Sequence, residues 1–100
     1  MESYFKFYFF TFYFLDFNFM DTTLIIGVSG AALILIAFIM EQTHRWKDTD
    51  LIYDAVNFIG AVLLIIYAMM LASYPFIILN AVWAAVSLRD IFSDLKRKGG

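Results

Sequence analysis

The sequence predicts an all-α membrane protein, a bundle of three transmembrane helices. Two observations lead to this prediction: the composition, and a run of 34 residues, 55–88, that contains no charged side chain. Of the 100 residues, 63% are hydrophobic, 20% are aromatic and only 16% are charged. A soluble domain of this size exposes much of its surface and needs more charge to cover it. Residence in a lipid bilayer is the simplest explanation.

The first predicted span covers Thr23–Met40, an apolar segment of the length that a bilayer requires. Asp21 and Thr22 precede it and are residue types that often cap the amino end of a helix. We therefore expect a helix to begin there.

The uncharged run 55–88 is too long for one span. As a single straight helix it would extend roughly 51 Å at about 1.5 Å per residue, whereas the hydrocarbon core is only about 30 Å thick. Pro75 disfavours helix in the residue before it. We therefore predict a turn near Ser73 that separates a second span, about Leu51–Ala72, from a third, about Phe76–Phe92.

The cationic residues predict the orientation. Arg45 and Lys47 lie between the first two spans, and the tail carries Arg89, Lys96, Arg97 and Lys98. The turn near Ser73 has neither Lys nor Arg. By the positive-inside rule, the amino end of the first span faces outside and the C-terminus is cytoplasmic.

The first 19 residues include eight Phe and three Tyr. We treat residues 1–20 as an aromatic N-terminal extension and residues 21–100 as the transmembrane domain. Three interpretations stay open for the extension: a translated leader ahead of a start at Met20, an interfacial helix, or a short additional span.

Polar residues inside the predicted spans are the candidate site. On the second span, Asp54, Asn57 and Gly60 lie on or beside one helix face, and Asn80 and Trp83 lie on one face of the third. An unpaired amide in hydrocarbon costs several kcal/mol, so both asparagines should face protein or water. These residues either line a solute pathway or only clamp the helices together.

Other classes of function have no support in the sequence. No nucleophile–base pair, phosphate loop or metal-ligand cluster is visible, so we expect no enzyme activity, no cofactor and no metal site. The net charge of −2 comes with no basic patch for nucleic acid. Asp54 has an ordinary interpretation as a helix-start carboxylate and a functional one in ion or proton coupling.

The motifs resemble those of a family of small bacterial membrane domains described as permease-like. The shared pattern is Tyr-Asp-x-x-Asn-x-x-Gly at the start of the second span and Asn-x-x-Trp in the third, here Tyr53, Asp54, Asn57, Gly60, then Asn80 and Trp83. The resemblance covers roughly residues 21–95. It implies a multi-pass protein of the bacterial inner (plasma) membrane.

A more distant resemblance is to the SemiSWEET sugar transporters of the PQ-loop superfamily. It follows Gly60, Tyr67, Pro75 and Asn80 through the second and third spans. The Pro-Gln pair of that family falls on Met40 and Glu41 here, and its sugar-stacking tryptophan falls on Leu64. The resemblance therefore implies the architecture of a half-transporter rather than sugar transport.

Two functions follow as expectations. The first is a homo-oligomeric transporter or binder of a small solute, with the lipid bilayer and a second copy of the chain as partners. A single chain is expected to leave one asparagine facing lipid, and a homodimer would cover it. The alternative is a structural or accessory subunit that packs against a larger membrane protein.

Overall fold

The computed structural model describes the backbone of residues 2–99 and, within that range, the side chains of residues 2–11 and 20–97. All regular structure in this part of the chain is helical. The helices are α1 (Glu2–Gln42), α2 (Leu51–Met70) and α3 (Tyr74–Gly99). Met1 and the side chains of residues 12–19, which belong to the predicted N-terminal extension, lie outside the described residues.

Three helical segments are long and apolar enough to cross a membrane: Met20–Gln42, Leu51–Met70 and Tyr74–Arg97. They overlap the three predicted spans and differ from them by a few residues at the ends. The predicted turn near Ser73 is confirmed, since α2 ends at Met70 and α3 begins at Tyr74. The chain is thus a helical protein of the membrane class.

The predicted start of the first helix is wrong. Asp21 and Thr22 lie inside α1, which runs without interruption from Glu2 to Gln42. A capping residue needs a non-helical backbone, and no glycine or proline in residues 2–26 interrupts the helix. At about 1.5 Å per residue, the 41 residues of α1 extend roughly 61 Å.

Helix α2 is the centre of the structure. It packs against both α1 and α3, whereas no described Cα atom of α1 comes within 8 Å of one in α3. The connections are short, so each helix runs antiparallel to the one before it. The described residues therefore form an open layer in the order α1–α2–α3 rather than a closed bundle.

Glycine permits a close approach between α1 and α2. A Cβ atom added to Gly30 would lie 2.9 Å from the carbonyl oxygen of Gly60, and one added to Gly60 would lie 2.9 Å from that of Gly30. One turn earlier on α1, Gly27 lies under the ring of Tyr67, whose Cδ2 would be 2.5 Å from an added Cβ. Small residues of this kind let membrane helices pack tightly.

Alanines continue this pattern of small buried residues. The apolar residues that are buried in the described part of the chain are all alanines: Ala37, Ala61, Ala68 and Ala84. No large side chain there is fully buried, and most of the large apolar side chains point outward. An outward-facing apolar surface is what a lipid environment solvates.

Two non-glycine residues in a left-handed backbone conformation end the first two helices. His44 has φ 62° and follows α1, and Ala72 has φ 54° and follows α2. After α2, the backbone N–H of Ser73 donates to the carbonyl of Ala68 at 2.9 Å, which is the pattern of a Schellman ending. This geometry reverses the chain within three residues and brings α3 back along α2.

Candidate functional site

Asn57 and Trp83 join α2 to α3 inside the predicted membrane region. The side-chain amide of Asn57 donates to the carbonyl of Tyr53 at 3.0 Å, and its Oδ1 accepts from the indole N–H of Trp83 at 3.4 Å. Asn57 is only 4% exposed, whereas Trp83 is 46% exposed. The amide is therefore oriented by two neighbours, one on each helix.

Asn80 is buried as deeply but is held differently. Its amide donates to the carbonyl of Phe76 at 2.9 Å, within α3 itself, and the residue is 5% exposed. Asn57 and Asn80 do not form a hydrogen bond with each other. Both amides face protein, which is one of the two environments that the cost of a buried amide predicted.

The expectation that a single chain would leave one asparagine facing lipid is wrong. Asn57 and Asn80 are both more than nine-tenths buried within one chain. The reason is that α2 and α3 pack along small residues, Ala61 and Ala84 among them, so the two backbones come close enough to enclose both amides.

An open groove of about 590 Å³ follows the face of α2 that lies between α1 and α3. Its walls are mostly apolar, and Tyr53, Asn57 and Trp83 supply the groups that can hydrogen-bond. The residues lining it are Ala31, Ile34, Leu35, Phe38, Tyr53, Asn57, Leu64 and Trp83. Small-molecule sites in proteins commonly have volumes of roughly 300–1,000 Å³ with a few placed polar groups.

Asp54 lies on a different side of α2. It is in the first turn of the helix, as predicted, but it is 3% exposed and therefore is not a solvated helix-start carboxylate. Its carboxyl group faces that of Asp94 on α3, which is also 3% exposed. The fold thus brings two carboxyl groups together at the end of the helices where the α1–α2 loop lies.

These two residues belong to a cleft of about 200 Å³. Its lining residues are Asp48, Thr49, Asp54, Asp90, Ser93, Asp94 and Arg97. Arg97 forms an ion pair with Asp94, and its guanidinium also donates to the carbonyl of Thr49 at 3.4 Å. The cleft therefore joins the loop, α2 and α3.

The predicted site residues separate into three groups. Asn57 and Trp83 line the groove, and Asp54 lies in the cleft. Gly60 is a packing residue against Gly30, and Asn80 lines neither cavity. In the part of the chain that the structure describes, no group of three or more His, Cys, Asp or Glu residues is arranged to hold a metal ion.

The acidic partners of Asp54 were not among the predicted site residues. Asp94 falls beyond the predicted end of the third span at Phe92. One signal could have found it. A short turn near Ser73 makes α2 and α3 antiparallel, so Asp54, 19 residues before the turn, lies opposite residues about 20 after it, where Asp90 and Asp94 stand one turn apart.

Comparison with known proteins assigns the chain to a protein family. A family model matches residues 23–98. The chain belongs to this protein family, whose function is unknown. No curated protein and no solved structure matches the chain, so the resemblance to SemiSWEET transporters finds no support there.

Proposed function

We propose that the protein is a small multi-pass membrane protein that binds a small solute in the groove on α2, and that two copies together move it across the bilayer. The observation that supports this best is the Asn57–Trp83 pair. It supplies an oriented amide and an indole N–H on the wall of a groove that is otherwise apolar. A few oriented polar groups in an apolar cavity are typical of a ligand site.

The charge of the loops supports one orientation. Arg45 and Lys47 follow α1, the tail is rich in Lys and Arg, and the turn near Ser73 has neither. In the proposed topology the α1–α2 loop and the C-terminus face the cytoplasm. The proposed membrane is the bacterial inner (plasma) membrane, as the permease-like resemblance implies.

The open side of the groove supports the proposed dimer. The groove is bounded on one side by α1 and on the other by Trp83, and nothing in the described part of the chain closes it. A second copy packed across this opening would convert two half-grooves into one enclosed path. In this proposal the dimer covers the groove, whereas each chain already covers its own asparagines.

The two buried asparagines offer a matched test. Purified protein is reconstituted into liposomes, and uptake is measured for a panel of uncharged polyols, amides and zwitterionic amino acids. Wild type is expected to transport at least one solute above empty liposomes. Asn57→Ala should abolish that flux, and Asn80→Ala should keep most of it, because only Asn57 lines the groove.

Two results would contradict the proposal. One is that no solute on the panel enters faster than into empty liposomes. The other is an equal loss of flux in both variants, which would mean that the asparagines act only through stability. A parallel measurement of the free energy of unfolding separates these cases, since both amides are bonded to a carbonyl one turn earlier and the two variants should differ only by the bond that Asn57 accepts from Trp83.

One observation favours the alternative, an accessory subunit. Residues 2–11 extend α1 beyond its apolar span, and Tyr4, Phe5, Tyr8 and Phe10 are all exposed there. A helix with apolar side chains on every side is normally buried, and a larger membrane protein would bury it. Cross-linking in native membranes should then recover a second protein at a fixed ratio, and recovery of the homodimer alone would count against this role.

A further inference from the structure

Asp54 of α2 and Asp94 of α3 form a buried carboxyl pair between the two helices. Each residue is only 3% exposed, and their side chains are hydrogen-bonded to each other. An ionised carboxylate has acceptor atoms only, so a hydrogen bond between two carboxyl groups requires a proton on one of them. The fold therefore buries one shared proton at this contact.

The charged groups that face the pair do not replace this proton. Asp48 from the α1–α2 loop and Asp90 from α3 line the same cleft and add negative charge. Arg97 of α3 is its one cationic lining residue, and its guanidinium is paired with Asp94. None of the described residues of α1 lines the cleft. One cation thus faces four carboxyl groups, and a second negative charge inside the pair would have no counter-ion.

We propose that the Asp54–Asp94 pair is a pH-sensitive latch, which joins the loop ends of α2 and α3 while it holds its proton and releases them when the proton is lost. Two ionised carboxylates in contact repel each other, and burial strengthens the repulsion because little water screens it. The joined arrangement binds one proton more than the released one, so rising pH favours release.

The surroundings of the pair allow the proton to exchange and limit the movement. The cleft of about 200 Å³ leads to Asp90 and Arg97, whose side chains are 37% and 57% exposed, so water reaches the pair without unfolding of the chain. One turn after Asp54, Asn57 accepts a hydrogen bond from Trp83, which still joins the two helices. Release is therefore confined to the loop end. The latch does not depend on the proposed function, because no residue lines both the cleft and the groove.

The test measures the distance between the loop ends of α2 and α3 as the pH changes. The chain has no cysteine, so Ile52→Cys and Leu95→Cys, at exposed positions on the two helices, can carry spin labels on the full chain in lipid nanodiscs. Double electron–electron resonance should show this distance increase by about 2 Å between about pH 5 and about pH 9. A reference pair near the turn, Met69→Cys with Ile78→Cys, should show no change.

Three variants assign the change to the pair. Asp54→Asn keeps a donor for Asp94 at every pH and should hold the short distance throughout. Asp90→Asn, which removes a carboxyl group of the same cleft outside the pair, should retain the lengthening. His44→Gln should retain it as well. His44 lies in the α1–α2 loop, and histidine is the other side chain that commonly changes charge in this pH range.

An infrared measurement reports the proton itself. The stretching band of a protonated carboxyl group should be present in wild type at about pH 6, where exposed carboxyl groups are ionised. It should disappear over the same pH range in which the distance increases. This readout needs no variant, so it decides the question even if Asp54→Asn does not fold.

Several results would overturn the proposal. The first is a loop-end distance that does not change with pH in wild type, and the second is a change that persists in Asp54→Asn. An equal loss of the change in Asp54→Asn and Asp90→Asn would mean that the total charge of the cleft is responsible, and a loss in His44→Gln would assign it to the loop. An equal change in the reference pair would mean that the whole chain loosens, and the absence of the infrared band would mean that the pair holds no proton.

Discussion

The carbonyl oxygen of Gly60 lies 2.9 Å from the position that a Cβ atom on Gly30 would occupy. The relationship is reciprocal, since a Cβ on Gly60 would meet the carbonyl oxygen of Gly30 at the same distance. Backbone lies on both sides of this contact, so neither helix can yield by rotating a side chain. The crossing of α1 over α2 therefore requires glycine at both positions.

The first prediction concerns this crossing. Gly60→Val should lower the free energy of unfolding by about 2 kcal/mol, because the new side chain would overlap Gly30 and Ile34. The measurement is titration with sodium dodecyl sulfate in mixed micelles. Ile59→Val, at the neighbouring and exposed position, is the control and should change stability by less than about 0.5 kcal/mol. Similar losses in both variants would contradict the close contact.

The second prediction concerns the turn after α2. Ala72 adopts φ 54°, a conformation that glycine adopts without strain. Ala72→Gly should therefore raise the free energy of unfolding by about 0.5–1 kcal/mol. Ala55→Gly, inside α2, should lower it by about 1 kcal/mol. Loss of stability in both variants would show that the backbone at residue 72 is right-handed.

The third prediction tests the bond between Asn57 and Trp83. A double-mutant cycle of Asn57→Ala and Trp83→Phe should give a coupling energy of about 0.5 kcal/mol, which is typical of interhelical hydrogen bonds in membranes. The distance of 3.4 Å is long for such a bond, so a larger value is not expected. The same cycle between Asn80→Ala and Trp83→Phe is the reference and should give no coupling energy. Equal coupling in the two cycles would contradict the assignment.

The fourth prediction concerns the proposed topology. The chain has no cysteine, so single cysteines can be placed at will. Gln42→Cys and Ser73→Cys lie at opposite ends of the spans. In intact cells a membrane-impermeant thiol reagent should label Ser73→Cys and spare Gln42→Cys, and inside-out vesicles should reverse the result. Labelling of both from one side would mean that α2 does not cross the membrane.

The fifth prediction concerns the first part of α1. Thr23 contacts Met70 at the end of α2 through a long Oγ1–Sδ approach of 3.9 Å. The part of α1 that precedes Thr23 extends beyond the α2–α3 turn. A chain that begins at Met20 should therefore retain the helix packing, with a free energy of unfolding within about 0.5 kcal/mol of the full chain. A larger loss would show that residues 2–19 pack against the other helices.

Hydrophobicity and the cost of buried amides predicted much of the fold. The absence of charge located the spans, Pro75 located the turn, and the desolvation cost of Asn57 and Asn80 predicted that both would face protein or water. These features follow from local physical costs that do not depend on which helices are neighbours.

The helix against which each helix packs could not be predicted in the same way. A helix face can be identified from the spacing of its residues. That spacing does not show that α1 and α3 both pack against α2 rather than against each other. The carboxyl pair shows the same limit, because Asp94 lies beyond Phe92, the predicted end of the third span. The distance from the turn near Ser73 places Asp94 level with Asp54, but only the packing of α2 against α3 shows that the two carboxyl groups face each other.

The position of α2 between α1 and α3, whose described Cα atoms stay more than 8 Å apart, has a consequence for biogenesis. Each helix docks on the one synthesised just before it, so no contact has to wait for a distant part of the chain to leave the ribosome. A chain that ends at Met70 already contains both helices of the α1–α2 seam. Insertion of α3 would then add the third helix to two helices that are already packed together.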